Sequence, residues 1–387
     1  MGIQLDARQR DLQSEFRAFA SEEIAPRAGE FDRREAMPRQ FLDGLADHGY
    51  LAAQVPSEYG GRGLDAISYG LLHEEFGGAC SSTRTLLTVH DMVAEVILKM
   101  GAKGLRKAWL PALTAGKHLA AFALTEPEAG SDAAAIQTTA SPSGDGYLLN
   151  GRKKWISFGQ VADLFLVIAR IGEDGSPGGF LVERESPGLT ITPMKGLLGL
   201  RGSMLAELEF DNCRVSHDSR IGPESMPAGL VAGTALHLGR YGVAWGCVGI
   251  GDSCMEASFR YSRERSQFGV PLEEHQLIQR MLANMVADVR AARLLCLEAG
   301  HLRETRDGGA IQGTLIAKYF ASRMANRVAS DAVQIHGAKG VSDAQPIERY
   351  FRDARVMTII EGSSEIQQIM IAMYGRAEYR PPAPRSE

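Results

Sequence analysis

Apolar positions recur at helical spacing at both ends of this chain and at strand spacing in its middle third. Near the N-terminus, Leu12, Phe16, Phe19 and Ala20 form a stripe behind Asp6 and Gln9, whose three-residue separation is that of a capping box. Breaks are expected at Pro26, at Pro38 and across the turn-rich segment Pro56 to Gly63, with further helices containing Glu74 to Phe76 and Val89 to Met100. From about His118 the texture changes. Leu164 to Ala169, Phe180 to Val182, Leu189 to Thr192 and Ala206 to Phe210 are short β-rich runs separated by Gly, Pro, Ser and Asp, the pattern of a sandwich or barrel. Helical spacing then returns, with Leu277, Met281, Leu282, Met285 and Val289 on one face and Ala317, Phe320, Ala321, Met324, Val328 and Val333 on another. The pattern predicts an α+β protein with a helical domain over 1–117, a β-domain over 118–227 and a helical bundle over 228–387, ending in a frayed tail from Glu378 to Glu387. No internal repeat is present.

Composition narrows the function classes. With 44% hydrophobic and 23% charged residues over 387 positions, the chain has material for two or three well-packed domains. No apolar run approaches the roughly 20 residues of a membrane span. The start, Met1 to Asp6, lacks a basic region followed by an apolar core, so a cytoplasmic protein is expected. Net charge is −5 and no dense basic run exists, which argues against nucleic acid as a partner. Cys80, Cys213, Cys247, Cys254 and Cys296 are scattered and odd in number, as expected of reduced, buried thiols and not of a disulfide framework or metal site.

The stretch Ile359-Ile360-Glu361-Gly362-Ser363-Ser364-Glu365 places one carboxylate at a chain reversal before a helix. Ser364 and Gln367 have capping-box spacing, and Ile366, Ile369, Met370 and Met373 then form an apolar face. Met357, Ile359 and Ile360 would surround Glu361 with apolar material and raise its pKa toward the range of a general base; a solvated or capping glutamate is the alternative. Two further segments carry candidate chemistry. Thr125-Glu126-Pro127-Glu128-Ala129-Gly130-Ser131-Asp132 offers backbone donors and hydroxyls to an anion or a flavin edge, or is simply a turn. Lys154-Trp155-Ile156-Ser157 adds a flat aromatic, either exposed for binding or part of the core.

These segments resemble the acyl-CoA dehydrogenase flavoproteins, together with Gly199-Leu200-Arg201-Gly202-Ser203, Arg263-Glu264-Arg265-Ser266-Gln267-Phe268-Gly269, Gln334-Ile335-His336-Gly337 and Arg352-Asp353-Ala354. Any one motif is weak, but the ordered set is specific and runs from the first helix to about Arg376. The resemblance implies a helical domain, a β-barrel and a four-helix bundle, FAD as cofactor, and a homo-oligomer, dimer or tetramer, with FAD bound between subunits. It assigns Phe122, Leu124, Thr125, Gly130 and Ser131, with Trp155, Ile156 and Ser157, to the isoalloxazine and ribityl chain. It assigns Arg265, Gln267, Phe268 and Gln276, with Gln334, Gly337 and Ala338, to the adenine and pyrophosphate end, and Ser363 and Glu365 to further cofactor contacts. Ala338 stands where a second glycine is usual. The chain has no G-x-G-x-x-G turn, so the dinucleotide would be held by dispersed donors, with Arg265 suited to the pyrophosphate.

Glu361 falls on the family's catalytic base, and Arg240 on an arginine frequent near the active site; an ion pair tying bundle to barrel is the other reading of Arg240. Ser131 is also a candidate substrate contact. Arg84, in Ser81-Ser82-Thr83-Arg84-Thr85, matches the arginine by which glutaryl-CoA dehydrogenases hold a distal carboxylate, or forms a surface salt bridge. A closer resemblance, carried by Cys80 to Arg84, Val243 to Ile250 and Ile359 to Glu365, is to the relatives that make hydroxymalonyl or methoxymalonyl extender units on acyl carrier proteins. His237 replaces an acidic residue that often reaches the CoA adenine. The expectation is therefore an FAD-dependent oxidation of a small polar hydroxyacyl thioester on acyl carrier protein. A catabolic short-chain or glutaryl-like acyl-CoA dehydrogenase is the alternative, and a non-enzymatic binding module on the same fold is a third reading that an intact Glu361 disfavours. Electron-transfer flavoprotein and O2 both remain open as acceptors.

Overall fold

The computed structural model describes residues 4–171, 175–223, 226 and 229–379, so the expected frayed tail lies outside the described residues from position 380 onward, as do Met1 to Ile3. Helix α1 (Ala7–Phe19) begins with the expected capping box: the Gln9 N–H donates to Asp6 Oδ1 at 2.8 Å and the Asp6 N–H to Gln9 Oε1 at 3.1 Å. Pro26 does not break the chain's helical path. A π-turn over Ala20–Ile24 leads directly into α2 (Ala25–Arg34) and places the proline in its first turn, where a missing N–H costs little. Pro38 does act as a boundary, preceding α3 (Arg39–Asp47). Helices α4 (Ala66–Ala79), α5 (Ser81–Met100) and α6 (Lys103–Thr114) complete the first helical region.

Eight strands then form one sheet: β1 (Ala120–Ala123), β2 (Thr139–Ser143), β3 (Gly146–Ile156), β4 (Leu164–Ile171), β5 (Ser176–Glu183), β6 (Leu189–Pro193), β7 (Ala206–Ser216) and β8 (Arg220–Ile221). The order is β6-β7-β3-β2-β4-β5-β8, with β1 paired in parallel to the first half of β4. Two register shifts in the β3–β7 pairing, between Leu149 and Gly151 and between Lys153 and Ile156, bend the sheet. Strand β4 is apolar without interruption because both its faces are covered. Phe165 and Val167 join the sheet's inner core, while Leu164, Leu166 and Ile168 pack with Met92, Val93, Val96 and Ile97 of α5.

The second helical region has three long helices, α7 (Leu230–Glu264), α8 (Gln276–Glu304) and α9 (Ala310–His336), with two shorter ones, α10 (Ile347–Met357) and α11 (Ser364–Glu378). A two-stranded ribbon of β9 (Ser266–Gln267) and β10 (Val270–Pro271) joins α7 to α8. Every residue from Leu238 to Gly251 is buried, so α7 runs through the interior and packs against α4, α5, α8 and α9. Its approach to α4 is close: a Cβ at Gly249 would lie 1.9 Å from the Glu74 carbonyl oxygen, so only glycine fits. On α8, Leu282, Met285 and Val289 are buried as the periodicity predicts, but Leu277 at the helix start is exposed.

Two expectations at the C-terminus are corrected. The cap of α11 is Ser363, whose Oγ accepts from the Ile366 N–H, and not Ser364; Gln367 is thereby freed for another task. Among the described residues the predicted apolar face of α11 is only half covered: Ile366 and Met370 are partly buried, Ile369 and Met373 are exposed, and Gln367 is the buried residue of that helix.

Candidate active site

Glu361 occupies the reversal between α10 and α11 in a left-handed conformation, φ 54°, followed by Gly362 at φ 88°. Such a backbone costs a non-glycine residue about 1–3 kcal/mol and persists only where neighbours hold it. Here three side chains do so. Arg240 Nε donates to the Glu361 carbonyl at 3.0 Å, Gln367 Nε2 donates to the carbonyls of Glu361 and Gly362 at 3.2 Å each, and Lys318 Nζ donates to the Gly362 carbonyl at 2.6 Å. Arg240 thus bonds the Glu361 turn itself, and among the described residues no ion pair ties it from bundle to barrel.

The carboxylate lies against α7 where the helix has no side chain, since a Cβ at Gly239 would stand 2.7 Å from Glu361 Oε2. The residue keeps partial exposure, but Oε2 itself is buried without a hydrogen-bond partner. Burial raises the Glu361 pKa, opposed by the fields of Arg240, Lys318 and Arg84. Met357 is buried nearby as expected, but Ile359 is more than half exposed and does not shield the carboxylate.

Arg84 is fully buried on α5 and has no salt bridge among the described residues, and its burial removes the surface-pair reading. Its guanidinium donates to Thr88 Oγ1 at 2.9 Å and Thr85 Oγ1 at 3.0 Å and touches Met357 Sδ at 3.6 Å, while Nε has no partner. Burial pulls its pKa down, and the Glu361 charge acts against that. Lys318 is also fully buried, and burial brings it down to about 8. Arg84, Arg240 and Lys318 are thus three cations whose fields act on the carboxylate of Glu361, while Asp353 also faces Arg84 and Glu365 also faces Lys318.

On the sheet, the residues expected to meet a flavin ring are joined through Thr125, whose carbonyl accepts from the Lys154 N–H at 2.8 Å. Trp155 sits at the β3 bulge with φ 62°, and that turn leaves its ring half exposed instead of in the core. Ile156 and Leu124 are buried, Phe122, Thr125 and Ser157 partly so, and Gly130 and Ser131 are exposed. The Thr125 loop is anchored from within by an ion pair: Lys153 Nζ lies 2.7 Å from Glu126 Oε1 and also donates to the Leu124 carbonyl at 2.9 Å. Burial brings Lys153 down to about 8. The same burial would raise Glu126, but hydrogen bonds from Lys153, Thr138 and Gln137 hold it below the ordinary carboxylate range, so both members are charged at neutral pH. Lys153→Met leaves Glu126 buried without its cation and is expected to destabilise the protein by about 3–5 kcal/mol. Urea denaturation measures that loss, and a change below 1 kcal/mol contradicts it.

The residues expected at the dinucleotide's far end form a second group. Arg265, Gln267, Phe268 and Gln276 follow α7, and Gln334, Gly337 and Ala338 close α9; stacking of Tyr261 on His336, with ring centroids 4.4 Å apart, brings the two helix ends together. All seven are exposed, and Phe268 is 97% so. Gly337 has φ 58° and nothing within 4 Å of where a Cβ would be. Among the described residues no hydrogen bond, ion pair or ring contact joins this group to Trp155 within the chain. The set fits a flavin dinucleotide: a half-exposed indole beside the partly exposed Thr125 and Ser157 at one end, and at the other an exposed guanidinium, without an ion pair among the described residues, beside an uncovered aromatic. Glu365 is exposed, and Ser363 is engaged in capping α11.

Sequence reasoning missed Lys318, Lys153, Gly239 and the role of Gln367. A signal for Lys318 exists, because it falls on the buried stripe of α9 with Leu315, Ala321 and Ser322, where an ionisable residue is out of place. Among the described residues no cluster of His, Cys, Asp and Glu could hold a metal ion, and no helix is long and apolar enough to cross a membrane.

Comparison with known proteins bears on all three regions. The family descriptions "Acyl-CoA dehydrogenase, N-terminal domain", "middle domain" and "C-terminal domain" match residues 6–117, 121–213 and 229–375. The human mitochondrial short-chain specific acyl-CoA dehydrogenase is 37% identical over 368 residues, 94% of this chain and 89% of that protein. A glutaryl-CoA dehydrogenase from Mycobacterium smegmatis, solved in complex with FADH2, superposes with a TM-score of 0.91 at 28% identity, covering 98% of this chain and 97% of that one. FkbI, described as serving biosynthesis of a methoxymalonyl extender unit, superposes at 0.87 with 32% identity, covering 94% and 99%. The prolyl acyl carrier protein oxidase AnaB superposes at 0.91 with 28% identity, covering 96% and 98%. The matches follow one another in order through the helices, the sheet and the bundle that carry Glu361, and on that ground the chain belongs to the acyl-CoA dehydrogenase family of FAD-dependent oxidoreductases.

Proposed function

We propose that this protein oxidises a small, polar hydroxyacyl group held as a thioester on an acyl carrier protein, in the making of a hydroxymalonyl-type extender unit. The observation that carries the reading is Arg84, a fully buried guanidinium whose hydrogen-bond partners are two threonine hydroxyls and a methionine sulfur, with no ion pair among the described residues. A buried charge without a hydrogen-bonded counter-ion is unfavourable, and an anionic or strongly polar acyl group relieves it where a simple alkyl chain does not.

In this reading Glu361 accepts the proton from the carbon next to the thioester carbonyl. Its raised pKa makes it a stronger base than an ordinary carboxylate, and the clamps from Arg240, Gln367 and Lys318 keep it in place through the transfer. Arg84 holds the polar end of the acyl group. The hydride that must leave the β carbon as the α proton goes to Glu361 would be accepted by FAD, which would supply the two-electron oxidant when bound. Thr125, Trp155 and Ser157 would hold its ring, and Arg265 its pyrophosphate.

The carrier-protein assignment rests on His237 and on likeness to FkbI and AnaB. His237 is partly exposed on α7, and burial, then the charges of Arg303, Lys99 and Arg240, bring its pKa to about 3. A neutral ring among cations offers no carboxylate to an adenine amino group. The exposed apolar side chains of α11, with Phe268 and Leu277, favour a second copy of this chain as their cover. The test is anaerobic bleaching of the flavin by one three-carbon hydroxyacyl group presented on carrier protein or on CoA. Faster bleaching with carrier protein is expected. Equal or faster bleaching with CoA overturns the carrier assignment and favours the catabolic reading, which likeness to short-chain and glutaryl-CoA dehydrogenases supports.

A further inference from the structure

Three polar side chains reach the surface of α7 at positions where that helix has no side chain of its own. A Cβ at Gly239 would stand 2.7 Å from Glu361 Oε2, one at Gly242 would stand 2.9 Å from His73 Cε1 and 3.0 Å from its Nδ1, and one at Gly246 would stand 2.9 Å from Arg84 Cδ. Positions 239, 242 and 246 share one helix face at the three- and four-residue spacing, and a rise of about 1.5 Å per residue puts them along a strip of roughly 10 Å. The contact of the His73 imidazole with α7 therefore falls between those of the candidate base and of the Arg84 side chain.

His73 has no structural task that uses its polarity. It is fully buried on α4, and neither ring nitrogen has a hydrogen-bond partner. Its ring packs edge-on against Tyr69, with centroids 4.4 Å apart, a contact that an apolar side chain of similar size would also make. A buried imidazole left unpaired costs the desolvation of two polar atoms, which is unfavourable unless a ligand completes them. Burial, and after it the charge of Arg84, hold the ring neutral, so it presents one donor and one acceptor. That pair matches a hydroxyl, which also donates once and accepts.

We propose that His73 is a specificity-determining residue that hydrogen-bonds a hydroxyl on the acyl group, while Arg84 holds the acyl group's oxygen-bearing end. This rests on the hydroxyacyl reading above and adds to it the residue that separates a hydroxylated acyl group from its deoxy counterpart. An arginine alone recognises charge and would pass both. A buried site built around a hydroxyl rejects the analogue lacking it, because the imidazole is then left unpaired.

The experiment uses the FAD-loaded protein and a matched pair of short acyl thioesters, with and without the hydroxyl, on the same pantetheine thiol. The readout is the ratio of their kcat/KM values in anaerobic flavin bleaching. Wild type is expected to favour the hydroxylated member by about 10- to 100-fold, one hydrogen bond to a buried group. His73→Leu should bring the ratio close to one, and His73→Gln, which keeps a donor and an acceptor, should restore part of it. Flavin content and melting temperature verify that both variants are folded; if His73→Leu is not, His73→Gln against His73→Met supplies the same contrast. A ratio that stays at the wild-type value in the apolar variant overturns the role of His73 alone. A wild-type ratio near one overturns the hydroxyacyl reading and this proposal with it.

Discussion

Glu361→Gln is expected to retain FAD and to slow flavin reduction by the true substrate by roughly 10²- to 10⁴-fold, the contribution of a positioned general base. The substitution keeps the size of the side chain and the backbone clamp, because Arg240, Gln367 and Lys318 bond to carbonyl oxygens and not to the carboxylate. Folding and cofactor content are thus separated from chemistry. In the proposed reaction the deprotonated carboxylate is the active form, and burial raises the pKa of that group. Reduction should accordingly speed up as pH rises through the raised value and then level off, and the variant should lose that limb. Stopped-flow flavin bleaching across pH checks both statements; a wild-type rate in Glu361→Gln removes it as the base and points to chemistry that begins elsewhere than at an α proton.

Arg84→Met is expected to separate stability from catalysis in opposite directions. The arginine is buried and balanced by two threonine hydroxyls and a sulfur instead of a carboxylate, so the free protein bears the desolvation of an unpaired charge. A methionine of similar length fills the space without that charge, and the melting temperature should stay level or rise. If the substrate's polar end pairs with the guanidinium, losing the pair costs about 2–5 kcal/mol, a drop of roughly 30- to 5,000-fold in kcat/KM. A simple butyryl thioester, with nothing to offer the arginine, should lose far less. Melting curves and a comparison of the two substrates decide the matter. A destabilised protein with equal losses on both substrates would make Arg84 a structural residue.

Much of this protein is legible in its sequence because short-range physics sets it. The Asp6–Gln9 capping box, the stripes of α8 and α9 and the uninterrupted apolar run of β4 each arise from local periodicity, and the ordered motifs from Thr125 to Glu365 identify the family. What periodicity does not encode is which elements meet. The continuation of the first helix through Pro26 depends on a π-turn, and the exposure of Ile369 and Met373 depends on what packs against α11. The candidate site belongs to that second class. Glu361 stands out in its turn, but its clamps come from residues 121 positions earlier at Arg240, 43 earlier at Lys318 and 6 later at Gln367. Arg84 stands out in the sequence only through its resemblance to a substrate-holding arginine, and His73 reads as an ordinary polar residue on α4; the glycines of α7 let both approach one strip of backbone. Burial, which sets the pKa of each of these groups, is a property of the assembled helices and not of any segment alone.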